Sequence, residues 1–314
     1  MLKKCLYCYK KLDTGDFHEN CSLSFFGLKQ APVIPYSIHE MEVLAKNVIE
    51  RSIAVPGVQA KLSMSLIKET RERSDNRLTV VGALGGNFIL KPPSPDFPEM
   101  PENEHLTMRM AEAYGIRVVQ SSLIRLQSGE LSYITKRVDR AVAGDKIHML
   151  DMFQITEAFD KYRSSYEKIG KALGEHSSNP QLDRLFYFEL LLFCFVAGNN
   201  DMHLKNFSMI ESLPGWVLSP AYDLLNVTIL NPDDKEELAL TLEGKKSKIK
   251  REHFIHLGQD MGLTGRQMEG VFKRLDVNYS KAISWINDSF LSREMKEKYQ
   301  ELLLDRYKRL DLPK

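Results

Sequence analysis

Cysteine is scarce in this chain: there are four in 314 residues, and three of them, Cys5, Cys8 and Cys21, fall within the first 21. So small and clustered a set cannot form a distributed disulfide framework, and it points to a reducing compartment. Long apolar runs are missing too. The most apolar stretch, residues 185–198, is too short to span a bilayer and carries Glu189, so it reads as a buried core helix. No apolar leader follows the first residues, which do not read as a signal peptide. An excess of one charge is also lacking, with 43 Lys and Arg against 42 Asp and Glu. That balance excludes wholesale attraction to nucleic acid or an anionic membrane. It leaves only a local basic cluster at Lys245, Lys246, Lys248, Lys250 and Arg251. No internal repeat or low-complexity segment is present. A cytoplasmic globular protein is the expectation.

What is present changes character along the chain. Residues 1–30 form a Cys/His-containing head. Strand-like patterns follow at 62–67, 78–84 and 87–91, with a polar break at 68–77 suited to a hairpin loop. Five prolines between 92 and 101 mark an irregular connection, after which Glu102 opens a helix running to about Tyr114. Two more strand-like runs occupy 117–125 and 131–136. Beyond residue 140 the pattern is helical, over 150–158, 164–173, 181–197, 251–262, 264–288 and 292–311. The expected class is α+β and bilobal. A head at 1–30 and a mixed N-lobe at 31–138 precede a helical C-lobe at 139–314, and the cleft between lobes is the default ligand site.

Chemistry-bearing residues gather just after the apolar helix. A polar loop, Asn199-Asn200-Asp201-Met202-His203-Leu204-Lys205-Asn206, follows Gly198, so it sits on a rigid support. An acid followed five residues later by an amide suits phosphoryl transfer. The acid orients or deprotonates an attacking hydroxyl, and the amide oxygen binds magnesium. Lys205 could neutralise charge on the transferred group. Asp223 follows a predicted hairpin over 207–218 that would return it beside Asn206, completing a carboxylate–amide pair adequate for magnesium. Alone, an Asp-x4-Asn spacing is common, and a lone loop Asp or Asn is more often a turn former or helix cap. Upstream, Lys91 ends a strand as a phosphate-contacting lysine would, with Glu104 on the next helix as its natural partner. A strand-terminal lysine is otherwise usually solvated. The segment 51–62 has one glycine, and is neither a Walker loop nor Gly-x-Gly-x-x-Gly.

Together these blocks resemble the HipA-type serine/threonine kinases of bacterial toxin–antitoxin systems. The resemblance is carried by Ser52-Ile53-Ala54-x-x-Gly57-x-Gln59-x-Lys61, Ile89-x-Lys91, Asn103-Glu104 and Arg137-x-Asp139-Arg140. It continues through Asp201-x-His203-x-Lys205-Asn206-Phe207 and Pro220-x-Tyr222-Asp223. It implies a protein-kinase-like fold that uses ATP and Mg2+, with Asp201 as catalytic acid, Asn206 and Asp223 as magnesium ligands, and Lys91 on the nucleotide. Lys136, Arg137 and Val138 would form the hinge that meets adenine, although Lys136 replaces the acidic residue the family pattern leads one to expect. Ser52, Val55, Gly57, Gln59 and Lys61, with His203, complete the implied nucleotide-binding set. Ser52 matches a loop serine that such kinases autophosphorylate, and a dianion there would repel the nucleotide phosphates.

The chain is short for the family and resembles its split, HipT-like branch. That branch implies a separate small HipS-like antitoxin, a HipB-like DNA-binding partner, and an aminoacyl-tRNA synthetase as substrate, the tryptophanyl enzyme above all. A second loop serine often seen in that branch is replaced here by Ala54. Two other readings stay open: a small-molecule kinase, which would lack the Ser52–Lys61 block, and a degenerate kinase acting as a scaffold for antitoxin and DNA. Retention of Lys91, Asp201, Asn206 and Asp223 speaks against the scaffold, and the near-neutral charge gives no support for autonomous nucleic-acid binding.

The head carries a separate signal. Cys5-x2-Cys8 and His18-x2-Cys21 have the spacing of a tetrahedral zinc site, which would be structural. The alternative is that these cysteines are small apolar residues and His18 a hydrogen bonder. Cys194, in the core helix, reads as inert.

Overall fold

The computed structural model describes residues 3–51, 61–67, 76–81, 85–141 and 144–312, with residues 45–51 as backbone. Ser52, Val55, Gly57 and Gln59 lie outside the described residues, as does most of the polar break after 67. The chain divides into two units. One comprises Met1–His105, Val119–Arg137 and Asp288–Leu291, and the other Leu106–Val118, Val138–Asn287 and Ser292–Lys314.

In the first unit, helices α1 (Glu19–Phe26) and α2 (Ile38–Arg51) precede strands β1 (Leu62–Ile67), β2 (Arg77–Val80) and β3 (Phe88–Lys91). Helix α3 (Met100–Ala113) follows and crosses from the first unit to the second at His105. Strands β4 (Ser121–Arg125) and β5 (Leu131–Lys136) complete an antiparallel sheet of order β2-β1-β3-β5-β4. Its register pairs Leu90 with both Leu62 and Ile134. Those three side chains join Phe25, Phe26, Met64, Leu78 and Phe88 in one buried cluster, the apolar face the strand patterns require. The strand expected over 117–125 is shorter than the sequence indicates. Val118 leaves the sheet to bridge Ala221, whose N–H donates to the Arg117 carbonyl at 2.7 Å.

Helix α2 has no counterpart among the expected elements. A Ser-x-x-Glu capping box marks its start: the Ser37 N–H donates to Glu40 Oε2 at 2.7 Å, and the Glu40 N–H returns to Ser37 Oγ at 3.3 Å.

The second unit opens with β6 (Met149–Asp151) and the one-turn helix α4 (Met152–Ile155), where a helix over 150–158 was expected. Residues 149–151 are instead drawn into pairing with β7 (Ser208–Ser212). Asp151 then caps a fresh helical start by accepting from the Gln154 N–H at 2.9 Å, and Glu157, at φ 49°, turns the chain away. Helices α5 (Tyr166–His176) and α6 (Pro180–Ala197) follow, then β8 (Gly215–Leu218) pairs with β7. The one-turn α7 (Val227–Leu230) and the long α8 (Arg251–Asp260), α9 (Gly265–Asp288) and α10 (Arg293–Arg309) complete the unit. Helix α6 is apolar almost all round and buried from Tyr187 to its end, as its composition demands. Its one carboxylate there, Glu189, accepts from Arg274 Nε at 2.6 Å, which offsets the cost of burying the charge. Among the described residues no helix is long and apolar enough to cross a membrane.

Candidate active site

Helix α6 stops because Gly198 takes the left-handed conformation at φ 73°. A side chain there would be strained and also crowded: its Cβ would lie 2.6 Å from Asn226 Oδ1. Glycine is therefore required at the junction where the buried helix releases the polar loop.

The loop is held by its own polar groups. Asn199 Oδ1 accepts the Asp201 N–H at 3.3 Å, and Asn199 Nδ2 donates to the Asp223 carbonyl at 3.4 Å. One amide thus ties the proposed acid's backbone to that of the second carboxylate. Asn206 Nδ2 donates to the Asp201 carbonyl at 2.9 Å, so the amide donor is used internally and its oxygen is the group left to accept or ligate. The Asp201 carboxylate accepts from the Tyr162 hydroxyl at 2.8 Å, and burial with the adjacent Asp201 charge pushes the phenol pKa up.

His203 is buried and meets the Tyr162 ring edge-on at 5.0 Å. Burial lowers its pKa against the opposing pull of Asp201, and its Nδ1 finds no hydrogen-bond partner among the described residues. Lys205 is exposed on a single 3-10 turn (Leu204–Asn206), its Nζ 4.8 Å from the Phe153 ring centre.

The hairpin of β7 and β8 is the expected one. Its anchor is Asp183 on α6, whose Oδ2 accepts the Leu218 N–H at 2.7 Å while Ser177 Oγ donates to it at 2.6 Å. Past the hairpin, the Tyr222 hydroxyl donates to the Lys205 carbonyl at 3.1 Å and pairs with Ser208 Oγ. This places residue 222 against the residue before Asn206. Asp223 itself sits at φ 56°, a conformation that L-residues other than glycine rarely take and that clusters at functional sites. Asp201, Asn206 and Asp223 are hard oxygen donors of the kind magnesium takes.

In the first unit Lys91 and Glu104 form a 2.5 Å ion pair with side chains 3% and 0% exposed, and Lys91 Nζ lies 5.3 Å from the Tyr133 ring centre. Lys61 is exposed at the residue before β1. Lys136 does not stand in for an acid. Its Nζ donates to Gln120 Oε1 at 2.6 Å and to the Ser24 carbonyl at 3.4 Å, and burial lowers its pKa. Its backbone N–H donates to the Gln120 carbonyl and that of Arg137 to the Asn87 carbonyl, both at 2.9 Å. The Arg137 guanidinium reaches Ser63 Oγ at 3.3 Å, and Val138 begins the next stretch of the second unit.

Sequence reasoning missed Tyr162, Asn199 and Asp183. Asn199 is the first residue of the loop, and an amide two residues before Asp201 was a local signal for a clamp on its backbone. Tyr162 lies 39 residues from Asp201, and no spacing rule reaches it.

Residues 53–283 match the HipA-like C-terminal domain. A protein of Haemophilus influenzae named "Putative kinase" is 30% identical over 213 residues, 63% of this chain and 59% of that protein. "Putative kinase Y4dM" of Sinorhizobium fredii is 31% identical over 229 residues, 67% of this chain and 54% of that protein. The chain thus spans little more than half the length of these relatives. Among solved structures, HipA of Shewanella oneidensis MR-1, in a complex with HipB and its operator DNA, superposes with a TM-score of 0.69 at 19% identity. The match covers 90% of this chain and 73% of that one. The Helicobacter pylori proinflammatory kinase CtkA gives a TM-score of 0.54 at 13% identity, over 79% of this chain and 93% of that one. The fold is kinase-like.

Proposed function

The chain belongs to the HipA-like C-terminal domain family, and on that premise we propose that it is an ATP- and Mg2+-dependent protein serine/threonine kinase, the toxin of a bacterial toxin–antitoxin system. The observation that carries the reading is the loop in which Asp201 is oriented by Tyr162 and Asn199, and Asn199 also binds the backbone of Asp223. Asp201 would accept the proton of the attacking serine or threonine hydroxyl. Asn206, with its amide nitrogen committed to Asp201, and Asp223 would hold magnesium through oxygen. Bound Mg-ATP would supply the phosphoryl group and much of the charge balance of its transfer. Lys91, fixed by Glu104, would meet the nucleotide phosphates, and Lys205 would face the transferring group.

The likeness to a HipA that assembles with HipB and operator DNA supports a HipB-like DNA-binding partner. The proposed substrate is an aminoacyl-tRNA synthetase, the tryptophanyl enzyme first, with Ser52 as an autophosphorylated switch. Intact mass after incubation with ATP and magnesium tests the chemistry. A gain of one phosphate, absent in Asp201→Asn and moved or lost in Ser52→Ala, is the expected result. No gain, together with no transfer of labelled phosphate to any purified synthetase, overturns the kinase reading.

A further inference from the structure

The head of the chain, outside residues 53–283, brings Cys5, Cys8, His18 and Cys21 together from two segments. Their ligand atoms all lie within 4.8 Å of one another. Zinc bonds of about 2.3 Å to sulfur and 2.0–2.1 Å to nitrogen set tetrahedral edges of roughly 3.5–3.8 Å. His18 Nδ1 lies 3.4 Å from Cys8 Sγ and 3.7 Å from Cys21 Sγ, so these edges are already near that size.

The imidazole is also presented correctly. His18 Nε2 lies 3.0 Å from the Lys11 carbonyl oxygen, which can only accept, so Nε2 carries the proton and Nδ1 turns its lone pair toward the sulfurs. An outer carbonyl fixing the tautomer of a ligating histidine is the usual support around a metal.

The backbone is shaped to the same end. The Tyr9 N–H closes onto the Cys5 carbonyl at 3.0 Å, Cys5 N–H reaches the Lys10 carbonyl at 2.9 Å, and Tyr9 adopts φ 62°, making a tight knuckle around the Cys5–Cys8 pair. Helix α1 starts immediately after His18 and carries Cys21 in its first turn. A knuckle and a helix start, each giving two ligands, leave no coordination position open.

We propose that these four side chains bind one structural zinc ion, which clasps the knuckle to α1 and fixes the head on the sheet. The consequence for the sheet follows from packing. Leu6 accepts the Leu123 N–H of β4 at 3.3 Å, and Asp16 pairs with Arg125 at 3.1 Å. From α1, Phe25 and Phe26 pack with tilted rings against Phe88, at the start of the strand that ends in Lys91. Among the described residues no other group of His, Cys, Asp and Glu forms such a cluster.

Metal analysis of the full chain, purified without a metal-affinity step, is the test. One zinc per chain is expected, dropping to background in Cys8→Ser and Cys21→Ser and unchanged in Cys194→Ser. Absence of stoichiometric metal, or iron in its place, overturns the proposal. Because the serine variants risk misfolding, wild-type protein produced in cobalt medium gives a second readout. Thiolate-to-cobalt charge transfer with a tetrahedral d–d band supports the site, and an octahedral spectrum refutes it. None of these readouts depends on phosphotransfer.

Discussion

Lys91 and Glu104 meet at 2.5 Å with almost no solvent exposure, the ammonium at the end of a strand and the carboxylate on the following helix. A charge pair so deeply buried gains little net stability while intact, yet losing one member is costly. Glu104→Gln, which leaves the Lys91 ammonium buried without its carboxylate, is expected to lose about 3–5 kcal/mol in urea unfolding. Replacing both by methionine should recover most of that stability while abolishing nucleotide binding. A double variant that still binds ATP normally would remove Lys91 from the proposed site.

Gly198 gives a second prediction. Gly198→Ala places a Cβ in the left-handed region against Asn226, at a cost of about 1–3 kcal/mol. The strain falls at the root of the loop bearing Asp201, so transfer activity should drop further than thermal stability alone accounts for. Parallel melting curves and phosphotransfer rates distinguish the two effects.

The loop itself separates chemistry from support. Asp201→Asn is expected to reduce phosphotransfer by about 10²–10⁴-fold with little change in melting temperature. Tyr162→Phe, which removes only the hydroxyl donating to Asp201, should reduce it by about tenfold, the equivalent of one ordinary hydrogen bond. Asp223→Asn should raise the magnesium concentration needed for half-maximal rate. Wild-type magnesium dependence in that variant would exclude Asp223 as a ligand.

A pH dependence arises in the first turn of α3, where burial, aided by the neighbouring Glu99 charge, raises the Glu102 carboxyl pKa from 4.5 to about 7. A carboxyl with a raised folded pKa takes up a proton on folding. Its favourable contribution is complete below 4.5 and is lost as pH rises through about 7. The shift is on the order of 3 kcal/mol at full effect. Glu102→Gln should therefore flatten the decline of stability between these pH values, making the variant more stable than wild type on the alkaline side. Unfolding curves that stay parallel for both proteins across that range would rule out Glu102 as the source.

Much of this protein was legible from local pattern. The apolar helix ending at Gly198, β5 and the hairpin over β7 and β8 follow from periodicity, a terminating glycine and a turn. The Lys91–Glu104 pair was legible because Lys91 ends a strand as a phosphate-contacting lysine would and Glu104, thirteen residues later, lies on the next helix, where such a lysine's partner is expected. Leu150 and Asp151, expected to open a helix, are strand instead because their composition permits either state and pairing with β7 rather than local propensity decides it. The withdrawal of Val118 from the expected strand has the same origin, in a partner distant in sequence.

The order of chemical groups along the chain, the expectation of phosphoryl transfer and the zinc-like spacing of the head were determined by sequence alone, because short-range spacing and residue type carry them. Tertiary structure decided which groups hold them in place. Tyr162 on Asp201, Asn199 between two segments of the site, Asp183 beneath the hairpin and the Lys11 carbonyl behind His18 are contacts made only after the backbone has folded. A hydrogen bond depends on distance and direction in space, and separation along the chain carries no record of either.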